Sequence, residues 1–222
     1  MTAGCAGYSV LLAVQDVLPI VLGAIGFIAL GRRATASLPA LTAPIRAVVV
    51  ALVVGSAVAG PTRKFAIAMG ANCEDLQWMQ IPFFVAVPVG FAVLAWAVRS
   101  VLAERIVKVW PYATVAAVAV VGAAAVQRDL ILLAVGGLLA VLTAVYAAML
   151  ARRQGDGLTA VLFIAYSVAT LSLPGAASAE YASAATGLWV EQAINTTAQA
   201  LFAIASIRLL RRAPTTQEPN RT

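Results

Sequence analysis

The chain reads as an all-α membrane protein, a bundle of seven transmembrane helices with its N-terminus outside and its C-terminus in the cytoplasm. Three observations predict this. Of 222 residues, 62% are hydrophobic and 11% charged, with a mean hydropathy of +0.94, beyond what a water-soluble domain of this length reaches. Seven apolar runs approach the ~20 residues that a helix needs to cross about 30 Å of hydrocarbon. The basic residues fall in short clusters between those runs, as they do where loop charge fixes orientation.

The first span is expected at 10–30 and carries Gln15 and Asp16. Pro19 follows them and has no N–H, so the carbonyl of Gln15 loses its helical partner. A kink or a free acceptor is expected beside the carboxylate. No basic stretch precedes this segment and no small-residue cleavage site follows it, so it is expected to be retained as a helix. The second span, 45–61, is the shortest and ends in Gly60-Pro61-Thr62-Arg63-Lys64. The third, 81–98, has Pro82 in its opening turn, where proline is tolerated, and Pro88, which is expected to interrupt it.

The fourth span is expected at 109–126. The fifth, 130–150, is apolar throughout. The sixth, 158–174, has a weak polar face of Tyr166, Ser167, Thr170 and Ser172, where the Ser and Thr hydroxyls are expected to bond back to the helix's own carbonyls. The seventh, 186–210, places Glu191, Asn195 and Gln199 at four-residue spacing, and Gln192, Thr196 and Thr197 widen the stripe. Residues four apart share a helix face, and a polar face cannot look at lipid. It is expected to turn into the bundle, either to bond neighbouring helices or to line a cavity.

Orientation follows from charge. With the N-terminus outside, the cytoplasmic side receives Arg32, Arg33, Arg46, Arg99, Arg105, Lys108, Arg152, Arg153, Arg208, Arg211, Arg212 and Arg221. The outer side receives only Arg63, Lys64 and Arg128. An even number of spans puts either Arg32-Arg33 or Arg211-Arg212 on the wrong face. Trp78, Trp110, Tyr112, Tyr181 and Trp189 fall at the expected membrane interfaces. Residues 1–212 form a single transmembrane domain, and 213–222 are expected to be a disordered cytoplasmic tail. Cys5 and Cys73 share the outer, oxidising side, so a disulfide between them is expected.

Several functions are excluded by composition. The chain has no histidine, which removes His-based acid/base catalysis, His–metal ligation and Ser-His-Asp chemistry. There is no phosphate-binding loop, dinucleotide fingerprint or zinc spacing, so neither cofactor nor metal is expected. The pI near 9.9 does not point to nucleic acid, because the cations are spread over loops.

Polar residues inside spans carry what functional signal there is. The expected ligand or ion-pair site gathers Gln15, Asp16, Arg63, Lys64, Glu191, Gln192, Asn195 and Gln199 in the outer leaflet, with the two acids paired to the two cations. The strings Asp16-Val17-Leu18-Pro19, Gly60-Pro61-Thr62-Arg63-Lys64 and Trp189 to Gln199 resemble those of uncharacterised multi-pass bacterial membrane proteins. That resemblance covers spans one, two and seven, and it implies a topology and a bacterial plasma-membrane location without an activity. The functional expectation is a non-enzymatic protein that binds or transports a small polar solute. Its alternative is a structural or assembly subunit of a membrane complex, and an intramembrane lipid enzyme ranks last. The lipid bilayer is the expected surrounding.

Overall fold

The computed structural model describes residues 9–126, 130–178 and 185–212, and these form helices and connecting turns with no strand among them. Ser9 opens helix α1 (Val10–Gln15) by accepting from the N–H of Leu12 at 3.2 Å. The helix breaks at Asp16 and resumes as α2 (Val17–Ser37), where the missing N–H of Pro19 weakens the preceding turn. Leu38, with φ −139° and ψ 88°, ends α2. The residue before a proline is pushed out of the α region, and Pro39 comes next.

A 3-10 turn (Pro39–Leu41) leads into α3 (Thr42–Ala57), which runs on through a π turn (Val58–Thr62) into α4 (Arg63–Ala68). Pro61 lies inside the π turn, and a widened turn is one way a helix absorbs the carbonyl that a proline leaves without a donor. Gly70, at φ 97°, closes α4 in the left-handed region that glycine adopts without penalty. A 3-10 segment (Glu74–Gln80) then enters α5 (Ile81–Leu102). Pro88 does not interrupt α5: the helix is continuous through it, which corrects the sequence expectation. Proline is tolerated inside a membrane helix where packed neighbours and local adjustments satisfy the freed backbone groups.

The remaining helices are α6 (Trp110–Val126), α7 (Leu130–Arg153), α8 (Gly157–Ser178) and α9 (Ala185–Arg211). Helices α2, α3, α5, α7, α8 and α9 pack in that order into a closed ring, α9 returning to α2, while α6 lies outside against α5 and α7. Among the described residues five helical segments are long and apolar enough to cross a membrane: Val10–Ser37, Pro39–Ala68, Glu74–Leu102, Ile131–Arg153 and Gly187–Arg211. Trp110–Val126 and Gly157–Leu173 are apolar but shorter. Several apolar side chains face outward, among them Leu11, Val50, Val118, Val121, Leu138 and Val161, each more than 60% exposed. Such a surface suits hydrocarbon and not water.

Small residues let the ring close tightly, as expected where lipid supplies no hydrophobic drive for helix association. Ala95, Ala144, Ala147, Ala151 and Ala205 are fully buried. At Gly26 of α2 an added Cβ would overlap the ring of Phe202 on α9, and at Gly136 of α7 it would overlap Val87 on α5. Phe27, Phe91, Phe163, Tyr166 and Phe202 form an aromatic layer across the middle of the ring, with centroid spacings of 5.0–6.4 Å. This layer divides the bundle into an Asp16 end and an Arg33 end.

Candidate functional site

On the Asp16 side of the aromatic layer the ring encloses a cavity of about 430 Å³. Of the eight residues expected to form a site, seven line it: Asp16, Arg63, Lys64, Glu191, Gln192, Asn195 and Gln199. Gln15 does not. Its Nε2 donates to Oγ1 of Thr196 at 3.4 Å and ties α1 to α9. Phe27, Phe91 and Tyr166 line the cavity toward the aromatic layer.

Two irregularities in the helices build the charged end. The break at Asp16 and the π turn before α4 bring Asp16 Oδ2 and Lys64 Nζ to 2.7 Å, with side chains 7% and 15% exposed. Gly60 is needed for this approach, since a Cβ there would sit 3.2 Å from the same carboxylate oxygen. The second expected pairing is not made. Arg63 is buried, but its Nε donates to the carbonyl of Leu76 at 3.2 Å and its Nη2 to Sγ of Cys73 at 3.4 Å. A guanidinium on the first turn of α4 reaches the following loop more readily than the facing helix, and the loop's carbonyl satisfies it there. Cys73 is disulfide-bonded; Cys5, its expected partner, lies outside the described residues.

Glu191 is half-buried and makes no ion pair with a described residue, although Lys64 and Asp16 are within electrostatic reach. Along the same helix the Oε1 atoms of Gln192 and Gln199 are buried without a donor among the described residues. The cavity therefore holds two buried acceptors left without a donor among the described residues. Thr197 departs from the expected stripe: it is exposed and its hydroxyl donates to the carbonyl of Ala193 at 2.8 Å. Ser167 and Ser172 bond back to Phe163 and Ala169, as expected, while Tyr166 and Thr170 face the cavity. No family model, curated protein or solved structure matches this chain. The reading of the site therefore rests on its geometry.

A second polar constellation at the Arg33 end was not singled out from sequence. Gly155, at φ 73°, closes α7, and Asp156 caps α8, accepting from the N–H of Thr159 at 3.0 Å and from its hydroxyl at 2.7 Å. Arg208 and Arg212 of α9 pair with the same carboxylate at 3.4 and 3.0 Å. The Thr159 hydroxyl, then its N–H, and then Arg208 hold the Asp156 carboxyl down at about 2, against the opposing effect of burial. The spacing Asp156-x-x-Thr159 is an N-cap signal, legible in the sequence but overshadowed there by the charges inside spans. The group fastens α8 to α9.

Proposed function

We propose that the chain is a seven-span protein of a bacterial plasma membrane, N-terminus outside, that binds or transports a small polar solute through the cavity at its Asp16 end. The observation that carries this reading is the chemical imbalance of the cavity. Among the described residues Glu191 has no ion-pair partner and two buried glutamine oxygens have no donor. Burying an acceptor without a donor costs about 1–3 kcal/mol, so the cavity is matched to an occupant rich in N–H or O–H groups. The lining carries two acids and two cations, so a neutral or zwitterionic solute suits it, with its N–H or ammonium group meeting Glu191, the acid that makes no ion pair with a described residue. The aromatic wall favours a solute with an apolar body, and cations also pack well on ring faces.

The orientation rests on the distribution of basic residues, and the exposed Trp78 and Trp110, at 60% and 74%, support the span limits as interfacial side chains. A structural or assembly role is the second reading, favoured by the Asp16–Lys64 pair and the Gln15–Thr196 bond, both of which lock helices together. Thermal unfolding in detergent with a series of small ammonium compounds, and uncharged polyols beside them, separates the two. A ligand that binds only the folded protein raises its stability in proportion to the logarithm of its concentration. The expected result is stabilisation by at least one ammonium compound that vanishes in Glu191→Gln. Stabilisation by none, with Glu191→Gln unchanged in melting temperature, contradicts a solute site.

A further inference from the structure

At the Arg33 end, away from the solute cavity, the bundle holds a second cavity of about 330 Å³. Its walls come from the last turn of α2, the end of α5 and the end of α7, with Val101, Leu102 and Leu150 as the buried apolar part. Arg33 lies at its base and is 5% exposed. The side chain donates from Nη1 to Oγ of Ser37, while its Nε has no acceptor among the described residues, and no described carboxylate pairs with it. Arg153 lines the same cavity from α7 and is exposed, with Nη1 donating to the carbonyl of Leu102 at 2.7 Å. Glu104 and Gln154 complete the polar lining.

A buried guanidinium with an open N–H and no countercharge is costly unless an anion meets it. Two arginines on separate helices opening into one space form a fork for a tetrahedral oxyanion, since guanidinium N–H pairs match phosphate oxygens in geometry as well as charge. Gln154 Oε1 is also buried without a donor among the described residues, which fits an occupant that brings a hydroxyl beside its charge. We propose that this cavity binds a phosphate-bearing anion, held by Arg33 and Arg153, with its hydroxyl directed to Gln154. The apolar wall beside the arginines accommodates the first carbons of an acyl or glycerol unit, so an anionic phospholipid headgroup and a free phosphate share the required chemistry. Glu104 opposes the charge and tunes the affinity downward. The site depends neither on the solute reading nor on which end faces the cytoplasm.

The test is thermal unfolding of the delipidated full chain in a neutral detergent. Four additions are compared: inorganic phosphate, chloride at matched ionic strength, short-chain phosphatidylglycerol and phosphatidylcholine of the same chain length. A rise in melting temperature with phosphatidylglycerol alone supports the site with lipid as its source. A rise with inorganic phosphate as well supports it with free phosphate sufficient. In either case Arg153→Gln, an exposed position expected to fold, weakens the half-maximal concentration by about tenfold, the scale of one lost charge-assisted hydrogen bond, and Glu104→Gln strengthens it. Arg33→Gln abolishes the response. Equal shifts with chloride or phosphatidylcholine, no shift at all, or a full response retained in Arg153→Gln overturns the proposal.

Discussion

Asp16 and Lys64 illustrate how one residue can decide a helix. An acid in an apolar segment is tolerated only with a partner, and Lys64 supplies it at 2.7 Å across the opening between α2 and α4. Lys64→Met strands the carboxylate and is expected to cost about 3–5 kcal/mol, the usual penalty for breaking a buried pair. The double substitution Asp16→Asn with Lys64→Met recovers most of that loss, because neither member of the pair is left without the other. Melting temperatures of the four species in detergent check the cycle. A double variant as unstable as Lys64→Met alone shows that the lysine acts through contacts other than the acid.

Asp156 makes a prediction about pH at the same scale. Its carboxyl titrates at about 2 in the folded chain, below the model-compound value of 3.8. A depressed carboxyl contributes stability above its unfolded pKa and loses it as pH falls through the folded value. The window is therefore between about 4 and about 2. Asp156→Ala is expected to cost about 1–2 kcal/mol near neutrality, a lost N-cap plus ion pairs discounted because Arg208 and Arg212 are 35% and 50% exposed. The gap between variant and wild type narrows as the pH is lowered to 2, which calorimetry in detergent reads directly. A gap that stays constant to pH 2 removes the carboxylate from the account.

At the scale of elements, the polar periodicity of α9 was legible because residues four apart share a face whatever surrounds them. Glu191, Asn195 and Gln199 therefore turn into the bundle, and of the two destinations the sequence left open they reach a cavity. The break at Asp16 was legible from the proline three residues on. The destination of Arg63 was not, because a long side chain can satisfy its donors on a loop carbonyl as well as on a carboxylate, and sequence cannot rank the two. Nor did sequence show that Pro88 leaves α5 continuous, since that depends on the helices packed around it. The closeness of α2 to α9 depends on Gly26. Gly26→Ala forces its methyl into Phe202 and is expected to cost about 1–3 kcal/mol by overpacking, whereas Gly122→Ala on the peripheral α6, with nothing within 4 Å of the new atom, leaves the melting temperature unchanged. Equal effects at the two positions contradict the packing described for the ring.

For the whole molecule, the apolar exterior and the ring of helices leave, among the described residues, a cavity with charged lining on each side of the aromatic layer around Phe202. Composition foretold the exterior, because the number of charges is too small to cover a surface in water. Neither compartment was legible as a volume, since each arises from how several helices meet and not from any one of them. The central claim is that the Asp16-end compartment is hydrated and open to the outside. Single cysteines at Asn195 within the cavity and at Ala205 on the far side of the aromatic layer test it, probed in intact cells with a membrane-impermeant thiol reagent. Labelling of Asn195→Cys, with Ala205→Cys silent until the protein is denatured, is the predicted result. If Asn195→Cys is also silent until denaturation, in a variant that accumulates normally in the membrane, the polar face of α9 is dry packing and the solute site does not exist.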